Sequence, residues 1–328
     1  MDIWLRAIIS ILFLALFVLA ALWVFGERGH LMLPSTRRAM PRRGAKRSNA
    51  RPEQHVSASK KPRRHAIFDA LHAYVYGRWT NQYIDALIHW VMPRLDAPGR
   101  THWANAYHGK VLTPELAAEL IRLDHDIDAR NLEQIVPYPV ARDVILQSPL
   151  PITLYECACR HARGNAGCKP SDVCMTIGGM NNDFLIEHNP HSARHIDQKE
   201  ALDILRAEHE RGHLHSAWFK DVLGDRLYAV CNCCKCCCGG IEAMTQYGVR
   251  TLVSSGFVAA IDEANCTACG ICIDKCPFGA LALDGTLATV NRDKCMGCGV
   301  CQSQCAFEAI ALVRDETKPA PLDVRVLA

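Results

Sequence analysis

Between Cys266 and Cys305 a four-cysteine pattern, C-x-x-C-x-x-C-x-x-x-C, occurs twice. Its first copy is Cys266, Cys269, Cys272 and Cys276, and its second is Cys295, Cys298, Cys301 and Cys305, each cysteine 29 positions from its counterpart. The flanks repeat in the same register, Phe278-Gly279-Ala280-Leu281-Ala282-Leu283 against Phe307-Glu308-Ala309-Ile310-Ala311-Leu312. Self-similarity at a fixed period marks an internal duplication. Three thiolates at i, i+3 and i+6 can wrap one face of an iron–sulfur cubane, while the fourth cysteine opens a helix and points away. Zinc is the alternative, but zinc sites favour two CxxC pairs set well apart over three cysteines in seven residues.

Residues 257 to 314 resemble the bacterial ferredoxins that carry two 4Fe-4S clusters. In bacterial runs of this kind the fourth cysteine ligates the other cluster of the pair. Cluster one would therefore take Cys266, Cys269, Cys272 and Cys305, and cluster two Cys295, Cys298, Cys301 and Cys276. The chain departs from the pattern once: Pro277 follows the first fourth cysteine, but Ala306 follows the second.

The 328 residues contain 18 cysteines, too many for ordinary packing and in too long a chain for a small secreted disulfide scaffold. Metal ligation in a reducing compartment is implied. Net charge is +3 but unevenly spread. Eleven Lys and Arg against Glu53 give residues 37–64 a balance of +10, and because the first 36 residues balance, residues 65–328 carry −7.

Residues Ala7 to Phe25 are apolar except for Ser10, and at 1.5 Å per residue such a helix spans roughly 28 Å. This predicts a transmembrane anchor within residues 1–30, in preference to a cleaved signal peptide. The basic residues that follow put the body on the cytoplasmic side of the inner membrane, as a single-pass protein. Residues 31–65 read as a basic disordered tether drawn to anionic lipid. Nucleic-acid binding is the rival reading of that run, and tethering already explains the charge.

The expected fold class is α+β: the anchor, a mainly helical Cys-rich iron–sulfur domain over 66–250, a ferredoxin-like domain over 251–314 and a tail over 315–328. Apolar positions at steps of four from Ile67 to Val91 predict amphipathic helices. Thr113 and Pro114 open another, as N-cap and first helical residue, and a third is expected from Pro139 through Val140, Val144 and Ile145. Asp197 caps a helix from Ala201 to about Arg211, and Leu214–Phe219 with Leu227–Val230 read as a hairpin. Helix plus hairpin raises a winged-helix reading, against which the acidic body speaks.

Ten more cysteines lie in this front half. Cys157, Cys159, Cys168 and Cys174 could surround one metal centre, an iron–sulfur cluster before zinc or reactive thiols. Cys231, Cys233, Cys234, Cys236, Cys237 and Cys238 crowd into eight residues and suggest a further cluster, adjacent cysteines being poorly suited to one tetrahedral ion. The ten suffice for two cubanes with two thiols left over, or for one unusual cluster. The elements Val136 to Arg142, Cys157-Ala158-Cys159-Arg160 and Asn232-Cys233-Cys234-Lys235-Cys236-Cys237 resemble the front half of a loosely described group of bacterial and archaeal 4Fe-4S binding proteins. That resemblance implies electron transfer.

Two 4Fe-4S clusters and one or two further iron–sulfur clusters are therefore expected. No G-x-G-x-x-G loop marks a nicotinamide or flavin site. The expected function is a membrane-anchored carrier of single electrons between redox protein partners, with an acidic body steering to a basic docking face and no nucleic-acid partner. Its rivals are an oxidoreductase subunit with a reactive centre at Cys231–Cys238, and a redox sensor.

Overall fold

A computed structural model describes residues 11–19, 65–129, 132–137, 144–178, 182–223 and 226–327. The chain divides into two compact units, Met1–Lys61 and Pro62–Ala328. In the first, residues 11–19 are helical and exposed. Among the described residues no helix is long and apolar enough to cross a membrane. Nine residues rise about 14 Å, half of a bilayer core of about 30 Å. The expected transmembrane anchor and single-pass inner-membrane location are thus not supported. Residues 7–10 and 20–25 of that span, and the tether to residue 64, lie outside the described residues.

The second unit opens with helices α1 (His65–Arg78), α2 (Thr80–Ala86) and α3 (Ala97–Ala106). Strand β1 (Tyr107–Leu112) leads into α4 (Pro114–Ile121), where Thr113 caps by accepting the Leu116 N–H at 3.3 Å and Pro114 takes the first turn. Next come β2 (Ile127–Ala129), β3 (Val144–Leu146), β4 (Ile152–Glu156), α5 (Ala158–Ala162), β5 (Asp172–Ile177), α6 (Asn182–His188), β6 (Ala193–Ile196) and α7 (Gln198–Glu210). Asp197 caps α7 by accepting the Glu200 N–H at 2.7 Å. Strands β7 (Leu214–Lys220) and β8 (Arg226–Cys233), helix α8 (Gly239–Tyr247) and β9 (Leu252–Val253) complete the front part.

Its centre is a seven-stranded mixed sheet ordered β6-β4-β5-β8-β7-β1-β9, antiparallel except where β9 runs parallel to β1. This corrects the expected mainly helical middle domain. Strand β7 is buried at every position, covered on both faces, so its sequence shows no period-two alternation. The expected hairpin exists as β7 and β8, but in the middle of the sheet. The helix expected near Pro139 is also corrected: Pro139 and Val140 lie outside the described residues, and Val144–Leu146 pairs with Ile127–Ala129, as β-branched side chains favour.

Register sorts the side chains onto two faces. Cys231 lies opposite Ser216, Cys233 opposite Leu214, Tyr155 opposite Cys174, and Tyr107 opposite Lys220, all on one face. Leu154, Met175, Ala217, Phe219 and Val230 occupy the other, beneath Leu116, Leu120 and Ile121 of α4 and Ala201 and Leu205 of α7. Period-two geometry thus divides a thiol face from an aliphatic face.

The C-terminal part contains β10 (Phe257–Ile261), α9 (Ile271–Lys275), β11 (Leu281–Leu283), β12 (Ala288–Val290), α10 (Val300–Ser303) and β13 (Ile310–Arg314). Outer strands β10 and β13 pair, as do inner strands β11 and β12, so each half of the duplication contributes one strand to each ribbon. It packs on the thiol face: Val258, Cys276, Phe278 and Cys298 share a buried cluster with Trp218, Cys233 and Cys238.

Candidate metal centres

The backbone around the eight C-terminal cysteines repeats with the sequence. Ala268 and Gly297 have φ of 53° and 63°, Gly270 and Gly299 both 79°, and Gly279 and Glu308 59° and 52°. These left-handed residues coil each loop, and Gly270 and Gly299 then start α9 and α10. The thiols fall into two neighbourhoods. Burial raises the Cys272 thiol pKa, and the sulfurs of Cys269, Cys266 and Cys305 add to it. Burial also raises Cys298, with Cys301, Cys276 and Cys295 beside it, and pushes Cys301 up to about 12. Cys276, Cys295, Cys298 and Cys301 line one small cavity of about 20 Å³. Backbone N–H groups donate to sulfur there, Ala259 to Cys295 at 3.4 Å and Ala280 to Cys276 at 3.3 Å.

The ten front-half cysteines divide four and six. Cys168, Cys234, Cys236 and Cys237 bring all four sulfurs within 4.8 Å of one another. Cys168 therefore joins the block that follows β8 instead of Cys157, Cys159 and Cys174. The other six are neighbours in a row, Cys231 beside Cys174, then Cys157, Cys159, Cys238 and Cys233, each acting on the next one's thiol. These six, together with Cys234 and Cys237, line a cavity of about 60 Å³ on the thiol face. Cys157 sits at the N-cap of α5 and Cys159 lies in its first turn, Cys174 comes from β5, Cys231 and Cys233 from β8, and Cys238 from the start of α8.

Such a group of sulfurs is unstable as bare thiolates. The Cys159 contact and burial push Cys157 up to about 12, although the Cys174 contact acts the other way. Metal coordination removes those protons by supplying charge at the sulfur. The surroundings also suit an anionic inorganic core. Trp103 lines the cavity, and its buried indole N–H has no hydrogen-bond partner among the described residues; nor has Arg160 Nε, beside Cys234 and Cys157. Behind the wall, Lys220 Nζ lies 5.0 Å from the ring centres of Tyr76 and Tyr107 and 5.8 Å from that of Trp103. Burial lowers this ammonium's pKa to about 8.

The sequence offers Arg160 as a hydrogen-bond donor to a cluster or a partner; the structure makes it an organiser of the loops. It is 2% exposed and donates to the carbonyls of Pro170 and Asn232 and to Glu208 Oε2, with His213 Nδ1 at 3.1 Å. It thus ties the Cys168 loop to the residue between Cys231 and Cys233. The C-R pair in Cys159-Arg160 was the available signal, but its partners lie 10 to 72 positions away. Between the two halves, Lys235 Nζ donates to the Asp274 carbonyl at 2.7 Å, two residues from each of Cys272 and Cys276.

The 4Fe-4S dicluster domain family matches residues 259–306. The chain therefore carries a domain of that kind, and an iron–sulfur cofactor follows for this segment. No curated protein matches the chain, and no solved structure does.

Proposed function

We propose that this chain is an iron–sulfur electron-transfer protein, whose dicluster domain exchanges single electrons with redox protein partners and with a further iron–sulfur centre held by the six thiols of the sheet. The observation that carries this reading is the shared core: Cys272, Cys276, Cys295, Cys298 and Cys301 pack in the same buried cluster as Cys233 and Cys238. Clusters of the 4Fe-4S type supply one-electron exchange at potentials from roughly −700 to +450 mV.

Cys266, Cys269, Cys272 and Cys305 would hold one cluster, and Cys295, Cys298, Cys301 and Cys276 the other. The Ala259 and Ala280 amides donate to ligand sulfurs, which lowers the cost of added negative charge. The Lys235 contact to Asp274 fixes the front-half turn against the α9 end of the dicluster domain. A balance of −7 over residues 65–328 favours a partner with a basic docking face.

The test is iron and acid-labile sulfide analysis of anaerobically purified protein, with electron paramagnetic resonance after reduction. The reading requires about eight irons from the dicluster domain and more from the sheet thiols, at four per cubane. Cys276→Ser should damage the centre nucleated by Cys295, Cys298 and Cys301 and spare the other. Loss of only the centre in its own run would overturn the crossed ligation, and redox-silent protein would overturn the function.

A second reading has one observation in its favour. Eight thiols line the sheet cavity, six of them outside the Cys168 group, whereas a cubane uses four. An iron with an exchangeable position there would make the chain an oxidoreductase subunit. Cyanide or carbon monoxide should then shift the spectrum of the front-half centre; a pure carrier leaves it unchanged.

A further inference from the structure

The sulfurs of Cys168, Cys234, Cys236 and Cys237 lie closer together than those of any other cysteine group among the described residues. All four are mutually within 4.8 Å, and Cys168 to Cys236 and Cys236 to Cys237 measure 2.9 and 3.5 Å, so in this turn the adjacent pair does bring both sulfurs to one centre, against the expectation from spacing. A single ion with metal–sulfur bonds of about 2.3 Å needs tetrahedral edges of about 3.8 Å. Thiolates on four corner irons of a cubane are pushed farther apart by the core between them. Among the described residues no three of the dicluster domain's eight sulfurs meet the 4.8 Å limit.

We propose that these four cysteines form a closed tetrathiolate site for one zinc ion, separate from the iron–sulfur centres. Four protein sulfurs leave no open position, the arrangement of a structural site. Of the two metals suited to tetrahedral sulfur, zinc binds more tightly than ferrous iron in the divalent series. The surroundings support a dianionic complex. The Cys168 N–H donates to Cys237 Sγ at 3.4 Å, Arg163 donates to the Cys237 carbonyl and to Glu242, and Lys235 stands between two of the ligands. The ion would clamp two loops, one before β5 and one after β8, and so hold Lys235 where it meets Asp274.

This inference does not depend on electron transfer. It is tested on the full chain, purified without oxygen from cells supplied with both metals. Zinc-edge X-ray absorption should show one zinc per chain with four sulfur neighbours and no iron neighbour. Cys236→Ser and Cys168→Ser should each cut bound zinc at least tenfold while iron and acid-labile sulfide stay at wild-type levels. Cys266→Ser should do the reverse. Absence of zinc from the unaltered chain, or oxygen and nitrogen in place of two of the sulfurs, overturns the site. So does loss of iron together with sulfide from Cys236→Ser. If neither serine variant folds, the spectrum of the unaltered chain decides alone. Failure here leaves the dicluster domain untouched, because its iron and sulfide are counted separately.

Discussion

Ala268 and Gly297 hold equivalent left-handed positions in the two cysteine loops, yet they will not tolerate exchange equally. A methyl group at Gly297 would run into the Phe257 carbonyl and the Ser255 hydroxyl, both fixed by neighbouring structure. Gly297→Ala should therefore cost more than about 2 kcal/mol, since left-handed strain of 1–2 kcal/mol adds to the clash. Ala268→Gly should shift stability by less than about 1 kcal/mol, relief of strain being offset by the entropy of an added glycine. Denaturant midpoints check both, and equal midpoints for the two variants would sink the argument. His215 supplies a pH dependence. It is 1% exposed, with Nδ1 2.6 Å from Asn232 Oδ1, and burial lowers its pKa to about 4, helped by His209 and His213 and opposed by Asn232 and Glu208. Between about pH 4 and 6.5 the unfolded chain binds a proton that the folded chain refuses, so stability is full above 6.5 and is lost as pH falls. From pH 7 to 5 the unaltered chain should lose about 2 kcal/mol more than His215→Gln in urea unfolding. Parallel losses would remove His215 from the account. The residue scale was the most legible in sequence: spacing alone paired the counterparts of the duplication. What it missed was Cys168, whose neighbours lie more than 60 positions away, a separation that no local pattern encodes.

At the scale of elements, the short helix α5 matters for what it points at. Arg160 on α5 meets Glu208 of α7, the Pro170 carbonyl before β5 and the Asn232 carbonyl on β8, so one guanidinium sets the mutual position of three cysteine-bearing segments. Lysine keeps the charge but cannot reach all of these groups, because it lacks the planar fork. Arg160→Lys should lose most of the front-half metal while the dicluster signal persists. Arg160→Ala should cost about 1–3 kcal/mol, because the buried Glu208 loses one charged partner and keeps only Arg211 and His213. Metal analysis with calorimetry separates the two effects; full retention of front-half metal in Arg160→Lys would reduce Arg160 to a packing residue. Helices with capping chemistry were readable, as Thr113 and Asp197 illustrate. Strands were not. A strand buried on both faces reads as a continuous apolar run, and Cys174, Cys231 and Cys233, which look like loop ligands, are strand residues whose side chains the pleat aims at one face.

On the scale of the whole molecule, the chain passes through the dicluster domain and returns to the far side of the sheet. After β13 the segment 319–327 crosses the aliphatic face, burying Leu322 and Val324 to 1% and 3% exposure among the side chains of α4 and the sheet. Its backbone is fastened at both polarities: Ala320 N–H donates to the Gln134 carbonyl at 2.8 Å, and the Ala320 carbonyl accepts from Lys110 Nζ at 2.7 Å. Lys110 also donates to the Ile135 carbonyl at 2.9 Å, and burial lowers its pKa to about 7. Truncation after Asp315 would uncover two side chains worth about 1.5–3 kcal/mol each and strand a buried lysine beside an open groove. The dicluster ribbon of β10 and β13 ends before that point and keeps its pairing. Truncated protein should therefore unfold its sheet about 3–6 kcal/mol more easily, while the resonance of the dicluster centres stays as in the full chain. Hydrogen exchange localises the loss: faster exchange in β1 and β7 with unchanged protection in β10 and β13 is the expected pattern. Uniform loosening of both would mean that the dicluster domain leans on the strap as much as the sheet does.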